Sequence, residues 1–377
     1  MEVKIVLGHT FGDEGKGVTV QWLCKKALEE GKRPLVVRFS GGPQAAHTVF
    51  NGRIEHICSS FGSGVMLGVP TMYTQDVFLD PICLMNEYRV LKLKGADPKI
   101  YLAPCRVITP YDVLVGRNNP KVRADGTCGK GLYPTFVRYN DPKWKGMFFD
   151  VNRPQLMLQN VAKYYNMERI PEFDEMFKKA CLEMMTDVFK DRTSLSNVDV
   201  LIFEGTQGLL LDMDCGFYPH VTPSKVGLNG INERNLKDAE VYLVTRTYTT
   251  RHGNGYTPKV PLEIDLSDKY ESNVSNEFQG DFKVGALETS LLNKAYERHC
   301  LDTYVNKHNI KLNLVITHMD VPIDNHKFEV EHNGQVDSWV GYVREENVWK
   351  MIQKHLCYKP EHVYYNDGVE SNLKLLQ

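Results

Sequence analysis

The sequence predicts an α/β protein with a large, mostly parallel central sheet flanked by helices. Residues 3–7 form an apolar run of strand length, residues 18–30 follow a helical pattern, and residues 34–39 form a second apolar run. This order is typical of a βαβ unit, whose two strands run parallel. Three later apolar runs end in polar or glycine residues, as strands of open parallel sheets do where they build binding sites.

The remaining elements follow from periodicity and turn residues. The first helix is predicted to end at Gly31, because glycine favours the end of a helix. Apolar residues at helical spacing predict a helix-rich region from about residue 154 to 191. Asn333-Gly334 predicts a hairpin between residues 327–331 and 335–343. The other predicted elements are strands at residues 198–203, 240–245 and 312–317 and a helix at residues 345–356.

Composition places the chain among ordinary globular enzymes. Hydrophobic residues make up 42% and charged residues 24% of its 377 residues, and the formal net charge of −2 argues against nucleic-acid binding. No apolar run approaches the roughly 18 residues of a membrane span, and the first residues lack a signal-peptide pattern. Nine cysteines without a Cys-x-x-Cys pair indicate reduced thiols. We therefore expect a cytoplasmic enzyme with one domain over residues 1–377, without nucleic-acid or membrane partners.

The segment between the first strand and the first helix carries a phosphate-binding pattern. Residues 8–17 contain four glycines together with Asp13 and Lys16. Glycines let backbone N–H groups approach a phosphate, the helix N-terminus favours negative charge, and the lysine adds a cation. The loop is similar to that of P-loop NTPases but is not a Walker A motif, because Gly17 stands where a hydroxyl residue is expected. Asp13 would repel phosphate, so we expect a metal ion or a chemical step to require it.

A second glycine-rich loop follows the second predicted strand and contains His47. Loops that follow the strands of one parallel sheet lie at the same edge, so we expect His47 to face Asp13 across a cleft. Its imidazolium would neutralise phosphoryl oxygens, or its ring would transfer a proton. A structural histidine is the alternative.

Further clusters place polar side chains at strand ends or glycine turns. Residues 126–131 contain Thr127, Cys128 and Lys130 between glycines, with a surface turn as the alternative. Gln207 can both donate and accept hydrogen bonds at a purine edge. Asp320 would accept hydrogen bonds from guanine, with a plain turn as the alternative. Thr222 adds a hydroxyl and Arg251 a cation at a glycine turn.

Taken in order, these clusters resemble the adenylosuccinate synthetase family. The family signature Val-Leu-Gly-x-x-x-Gly-Asp-Glu-Gly-Lys-Gly is present at residues 6–17. The match at residues 203–212 is almost residue for residue. Residues 218–222 match the family's Tyr-Pro-x-Val-Thr. Residues 41–48 and 126–134 resemble further family motifs, and residues 276–278 and 317–320 fall in the right order. The resemblance spans nearly the whole chain, which is shorter than typical bacterial members.

The resemblance implies a ligase that couples IMP to aspartate and forms adenylosuccinate. GTP phosphorylates the purine O6, and the amine then displaces the phosphate. Asp13 would remove the N1 proton and ligate Mg²⁺ together with the backbone carbonyl of Ala46, and His47 would stabilise the transferring phosphoryl group. The implied catalytic residues are Asp13, His47, Lys16 and Gln207, and the implied nucleotide-binding residues are Gly12, Glu14, Gly15, Lys16, Gly17, Thr48, His318 and Asp320.

The family also implies substrate-binding residues and a homodimer. An arginine from one subunit reaches the IMP phosphate in the other, and Arg138 lies near that position. The implied substrate-binding residues are Gln44, Thr127, Cys128, Lys130, Arg138, Gln207, Thr222, Arg251 and Lys283.

Several positions depart from the family pattern. Gln44 replaces an asparagine and Cys128 replaces a threonine. The arginine-rich loop that binds aspartate is missing and Lys283 is the cation left there, so the amino donor is aspartate or another amino acid. His318 replaces a lysine of the guanine pocket, which leaves ATP and dATP as alternatives to GTP.

Two other functions compete with this one. A phage-type relative acts on dGMP to give a succino precursor of 2-aminoadenine, but its loop aspartate is replaced by a small hydroxyl residue. Asp13 argues against that function. A non-catalytic sensor of purine nucleotides would keep the phosphate loop and lose the amino-acid site. Such a sensor has no need of both Asp13 and His47, so their presence favours catalysis.

Overall fold

A central sheet of nine strands organises this computed structural model, which describes residues 1–120, 127–144, 153–190, 197–262 and 280–377. Every neighbouring pair of strands is parallel except the pair at one edge, Tyr364 with Leu375. The mostly parallel α/β fold that the sequence predicts is confirmed. From that edge to the other the strands are Lys374–Leu375 (β17), His362–Tyr365 (β16), Lys311–Thr317 (β13), Glu240–Arg246 (β10), Glu2–Gly8 (β1), Val200–Gly208 (β9), Pro34–Arg38 (β2), Thr71–Tyr73 (β5) and Ile100–Leu102 (β7).

The strand order differs from that of a simple βαβ unit. β1 and β2 run parallel, but β9 lies between them and pairs with both. Because all these strands point the same way, the loops after β1, β2, β9 and β10 still meet at one edge of the sheet. The expectation that the Asp13 and His47 loops share this edge therefore holds without the two strands being neighbours.

Both faces of the sheet are buried. Ile5 and Leu7 of β1 belong to one hydrophobic cluster, and Val6 belongs to another, as the alternation of side chains along a strand requires. The first helix, Lys16–Glu29 (α1), adds Val20 and Leu23 to the second cluster. α1 begins two residues earlier than predicted, directly after the left-handed Gly15 (φ 93°).

A smaller sheet packs beside the central one and includes the predicted hairpin. The hairpin turns at Asn333 and Gly334, whose φ values of 51° and 89° suit a two-residue turn with both residues left-handed. The strands of this sheet are Tyr248–His252 (β11), Phe282–Glu288 (β12), Lys327–His332 (β14) and Gln335–Val340 (β15). Two further strand pairs are His47–Asn51 (β3) with Ile54–Cys58 (β4) and Phe78–Leu79 (β6) with Arg106–Val107 (β8).

The helices cover the sheet and fill the middle of the chain. Two of them confirm the predicted helix-rich region, and the last confirms the predicted C-terminal helix, although it ends at Gln353. No helix in the described ranges combines the length and apolarity that a bilayer crossing needs. The described α-helices after α1 are Pro81–Leu93 (α2), Pro110–Asn118 (α3), Leu132–Asn140 (α4), Pro154–Tyr164 (α5), Pro171–Glu183 (α6), Thr289–Arg298 (α7), Leu301–His308 (α8), Asp320–Asp324 (α9) and Glu345–Gln353 (α10).

His9, just after β1, makes stability depend on pH. Its side chain is fully buried, and its Nε2 lies 3.1 Å from the carbonyl oxygen of Leu292. Burial lowers the pKa of His9 from 6.5 to about 4, although the charge of Glu14 opposes the shift. Below pH 6.5 the unfolded chain therefore binds a proton that the folded chain does not, and stability falls until the pH reaches about 4.

We expect His9→Gln to flatten this acid dependence. Within that window, each unit by which the pH falls lowers the free energy of unfolding of the wild-type protein by up to about 1.4 kcal/mol through His9. Glutamine does not titrate, so the variant lacks this contribution. Urea unfolding at pH 7.5 and pH 5.5 would measure the difference, with the half-buried His362→Gln as the control. Equal pH dependence in wild type and His9→Gln would contradict the prediction.

Candidate functional site

A buried glutamate inside the loop holds the phosphate loop in shape. Oε1 of Glu14 accepts hydrogen bonds from the backbone N–H groups of Thr10 and Gly12, at 2.8 and 2.9 Å. Oε2 lies 3.0 Å from Nζ of Lys16, and both side chains are 2% exposed. Burial opposes ionisation of Glu14, but Lys16 and the two N–H donors outweigh it and lower the pKa of Glu14. The sequence predicts nucleotide binding for Gly12 and Glu14. In the structure the N–H of Gly12 donates to the Glu14 carboxylate, which also pairs with Lys16.

The next residue along, Asp13, has a left-handed backbone with φ of 60°. Two neighbouring strands stabilise this turn. Nε of Arg246 at the end of β10 donates to the backbone oxygen of Asp13, and Oγ1 of Thr250 in β11 donates to that of Gly12 at 3.1 Å. Burial raises the pKa of the Asp13 carboxyl, while the charges of Arg246, Lys16 and His252 oppose the shift.

Asp13 lies on a cavity of about 270 Å³ that we call the phosphate-loop cavity. The loop after β1, the loop before β3 and the end of β13 surround it. Asp13 and His47 both line it, so the structure brings the two predicted side chains to one cleft. The predicted residues on its wall are Asp13, Glu14, Gly15, Lys16, Gly17, Ala46, His47, Thr48, His318 and Asp320.

His47 is oriented by a buried carboxylate. Its Nδ1 lies 2.5 Å from Oε1 of Glu204 in β9, which also accepts hydrogen bonds from Ser63. Nε2 of His47 is buried and has no hydrogen-bond partner. Burial lowers the pKa of His47 below 6.5, although the Glu204 charge opposes this, and His47 and Ser63 keep the pKa of Glu204 low despite its burial. At neutral pH the ring is therefore uncharged, with Nδ1–H directed at Glu204.

Gly17 explains why this loop lacks a Walker A hydroxyl. A Cβ atom at residue 17 would lie 2.8 Å from Cβ of His47 and 3.3 Å from Oγ of Ser63. Any side chain there would displace His47. The glycine and the histidine are therefore parts of one packing arrangement.

A second cavity of about 330 Å³ is here called the Gln207 cavity. A Cβ atom at Gly12 would lie 3.6 Å from Oε1 of Gln207, so the phosphate loop approaches this side chain closely. Both side-chain amide atoms of Gln44 are buried here without hydrogen-bond partners. The predicted substrate-binding residues on its wall are Gln44, Thr127, Cys128, Lys130, Gln207, Thr222 and Arg251.

Two predicted substrate-binding residues lie elsewhere. Arg138 is fully buried, and its Nε and Nη2 donate to the carboxylate of Asp112 at 2.9 Å. An internal partner therefore holds this guanidinium, and the expectation that it reaches another subunit stays a prediction. Nζ of Lys283 donates to Oγ1 of Thr257 at 3.2 Å, and Lys283 lines neither cavity. The predicted motif at residues 276–278 lies outside the described residues.

Sequence reasoning missed three residues that the structure brings to the site. Glu204 lies in the family match at residues 203–212, but sequence reasoning assigned it no role at the site. A carboxylate inside an apolar strand needs a polar partner when it is buried, and that signal pointed to Glu204. Arg246 and His252 carried no such signal, because only the pairing of β10 and β11 with their neighbours directs them to Asp13.

The oxygen atoms at the phosphate-loop cavity suit Mg²⁺. Asp13 offers a carboxylate and Ala46 a backbone carbonyl on the same wall, and hard oxygen ligands are those that Mg²⁺ prefers. Within the described residues, a separate group of metal-ligand type consists of His56, Cys58 and Glu87. The Glu87 carboxylate there already accepts hydrogen bonds from the backbone N–H groups of residues 59–61, which indicates a structural role.

The comparison with known families agrees with this geometry. The family model described as adenylosuccinate synthetase matches residues 5–321. The chain belongs to the adenylosuccinate synthetase family. As a member of that family it is a ligase of purine biosynthesis that forms a carbon–nitrogen bond.

Curated synthetases of bacteria are similar along most of their length. The adenylosuccinate synthetase of Thermodesulfovibrio yellowstonii is 31% identical over 352 residues, which cover 85% of this chain and 78% of that protein. The adenylosuccinate synthetase of Saccharophagus degradans is 33% identical over 304 residues, covering 73% and 68%.

Solved structures share the synthetase fold. The fully ligated adenylosuccinate synthetase of Plasmodium falciparum superimposes with a TM-score of 0.75 at 19% identity and covers all of both chains. The succinoaminodeoxyadenylate synthetase of cyanophage S-2L, solved with dGMP and with dATP as an energy donor, gives a TM-score of 0.65 at 14% identity and covers 99% of this chain and 95% of that one. At these identities the likeness concerns the fold.

Proposed function

We propose that this protein couples IMP to aspartate through a 6-phosphoryl intermediate, with GTP as the phosphoryl donor, and releases adenylosuccinate. The observation that carries the proposal is the meeting of Asp13, Lys16 and His47 on one cavity, in a chain whose second cavity is lined by Gln207. One cavity suits a triphosphate and the other suits a purine nucleotide. Asp13 lines the first cavity and interacts electrostatically with Arg251 and His252, which line the second.

The proposed roles follow from the positions of the side chains. Asp13 removes the N1 proton of the purine and makes O6 nucleophilic, a task suited to a carboxylate whose pKa is raised. When the triphosphate binds, the ammonium of Lys16 leaves the Glu14 carboxylate and binds phosphate oxygens. Gln207 and Gln44 bind the purine nucleotide with their amides, together with Thr222 and the loop around Lys130.

His47 acts on the transferring phosphoryl group. His47 lines the phosphate-loop cavity and its Nε2 has no hydrogen-bond partner, while the Glu204 carboxylate at Nδ1 favours a protonated ring once phosphoryl oxygens approach. The uncharged ring of the free protein thus becomes an imidazolium when the phosphoryl group is present. In this proposal the charge on His47 depends on the bound phosphoryl group, whereas sequence reasoning considered an imidazolium without that dependence.

Asp13 and the Ala46 carbonyl are the residues that would hold Mg²⁺. The ion would neutralise charge on the phosphate oxygens. GTP is proposed over ATP and dATP because the carboxylate of Asp320 lines the phosphate-loop cavity and would accept hydrogen bonds from guanine.

A phosphate-release assay tests the proposed function. The protein receives Mg²⁺, one of GTP, ATP or dATP, either IMP or dGMP, and aspartate or another amino acid. Release that requires IMP, GTP, aspartate and Mg²⁺ supports the proposal. Release with dGMP would favour the phage-type activity, and no release with any combination would favour a nucleotide sensor.

The homodimer, the cytoplasmic location and the single domain over residues 1–377 stay predictions. The homodimer rests on the family resemblance, and Arg138 is buried against Asp112 within its own chain. Analytical ultracentrifugation would measure the oligomeric state directly.

A further inference from the structure

We propose that Arg251 and His252 on β11 bind the carboxylates of the amino donor, in place of the missing arginine-rich loop. The inference rests on the proposed function and names the subsite for its second substrate. It assigns His252 a role and moves the site away from Lys283.

The chemistry determines where such a subsite must lie. The amine of the donor attacks the purine C6, which is bonded both to O6 and to N1, the atom that Asp13 is proposed to deprotonate. A carboxylate of an amino acid is only a few bonds from its amine. Cations that hold the donor must therefore lie within a side-chain length of Asp13 and line the same cavity as the purine.

Arg251 meets both conditions. It is 8% exposed and lines the Gln207 cavity. Its Nη2 donates to the backbone oxygens of Asn254 at 2.7 Å and His220 at 3.4 Å, while its buried Nε has no hydrogen-bond partner. Two carbonyls thus fix Nη2, and the N–H of Nε is left without an acceptor. Burial lowers the pKa of Arg251 to about 10, and the Asp13 charge opposes the shift, so the side chain stays cationic and acts on Asp13.

His252 supplies a second donor on the same wall. It lines the Gln207 cavity, its Nε2 is buried without a partner, and its ring packs against Phe282 at 5.9 Å. Asp13 interacts electrostatically with this histidine. Arg251 and His252 both line this one cavity, so they offer two separate donors to the carboxylates of a donor molecule.

The strand that carries both residues is fixed to the phosphate loop. Thr250, the preceding residue of β11, donates from Oγ1 to the backbone oxygen of Gly12 at 3.1 Å. The distance between the proposed carboxylate site and Asp13 is therefore set by direct contact. Lys283 lies opposite Arg251 in β12, but its ammonium is directed to Thr257 outside the cavity.

Substrate kinetics of the full-length protein test the inference. We expect Arg251→Lys to raise KM for aspartate at least 30-fold and His252→Leu about tenfold, with KM for IMP and GTP changed less than threefold. His252→Gln, which keeps an N–H donor, should recover part of the loss. Arg344→Lys, an exposed arginine at the start of α10, is the matched control and should leave all constants unchanged. Thermal melting identifies any variant that fails to fold.

The outcomes separate this inference from the proposed function. If the wild type turns over IMP and aspartate but Arg251→Lys raises KM for IMP instead, the subsite is wrong and the reaction stands. A rise in KM for aspartate with Lys283→Ala and none with Arg251→Lys would return the site to Lys283. If the wild type shows no turnover, calorimetric titration of aspartate into protein with IMP and a non-hydrolysable GTP analogue decides: binding lost in Arg251→Lys supports the subsite, and equal binding, or none in the wild type, overturns it.

Discussion

Replacing Asp13 with asparagine is expected to lower kcat by at least about 10³-fold, because a positioned base contributes about 10²–10⁴-fold and a metal ligand is weakened as well. Asparagine is the informative substitution, since it tolerates the left-handed backbone at φ 60° and keeps the shape of the loop. Steady-state phosphate release measures the loss. Calorimetric titration with GTP should give an affinity within a few fold of the wild type.

The chain offers a matched control for this substitution. Asp238 is another left-handed aspartate, with φ of 56°, on the surface. Asp238→Asn should leave kcat unchanged. Normal turnover by Asp13→Asn would show that the base lies elsewhere.

The second large effect is expected from Glu204→Gln, with kcat lower by about 10²–10³-fold. Glutamine can still accept a hydrogen bond from Nδ1 of His47, but it lacks the negative charge that stabilises an imidazolium beside the phosphoryl group. KM for IMP should change little, because Glu204 does not line the Gln207 cavity. Phosphate release at saturating substrates is the measurement.

Glu87→Gln separates this effect from a general loss of stability. Glu87 is also a buried glutamate beside a histidine, with Oε1 3.3 Å from Nε2 of His56, and it lines neither of the two cavities. Both variants should lower the melting temperature, yet only Glu204→Gln should lower kcat by more than about threefold. Comparable kcat values in the two variants would refute the role assigned to Glu204.

The sequence was sufficient for the fold class and for the meeting of Asp13 and His47. Both follow from local patterns: apolar runs and helical periodicity predict a parallel sheet, and parallel strands bring their loops to one edge. The insertion of β9 between β1 and β2 was not predictable in this way. It depends on pairing between residues that are about 200 positions apart, as between Glu2 and Val200.

The positions of individual side chains also depend on contacts between residues that are distant in sequence. The resemblance placed Arg138 near an arginine that reaches the IMP phosphate, whereas in the structure Asp112, 26 residues away in sequence, holds its guanidinium inside. Lys283 and Arg251 face each other across β11 and β12, and only the contacts of their side chains show that one enters the cavity and the other does not. The spacing of a motif predicts where its backbone lies in the fold. The direction of a long side chain depends on partners that are distant in sequence.

The carboxylate of Glu14 has a consequence for how tightly a triphosphate is held. The ammonium of Lys16 already rests against an anion, and the turn around it is in place before any ligand arrives. Under the proposed reaction, a phosphate therefore replaces one anionic neighbour of the lysine with another. The measured affinity would report the difference between two ion pairs, and little further ordering of the chain would accompany it.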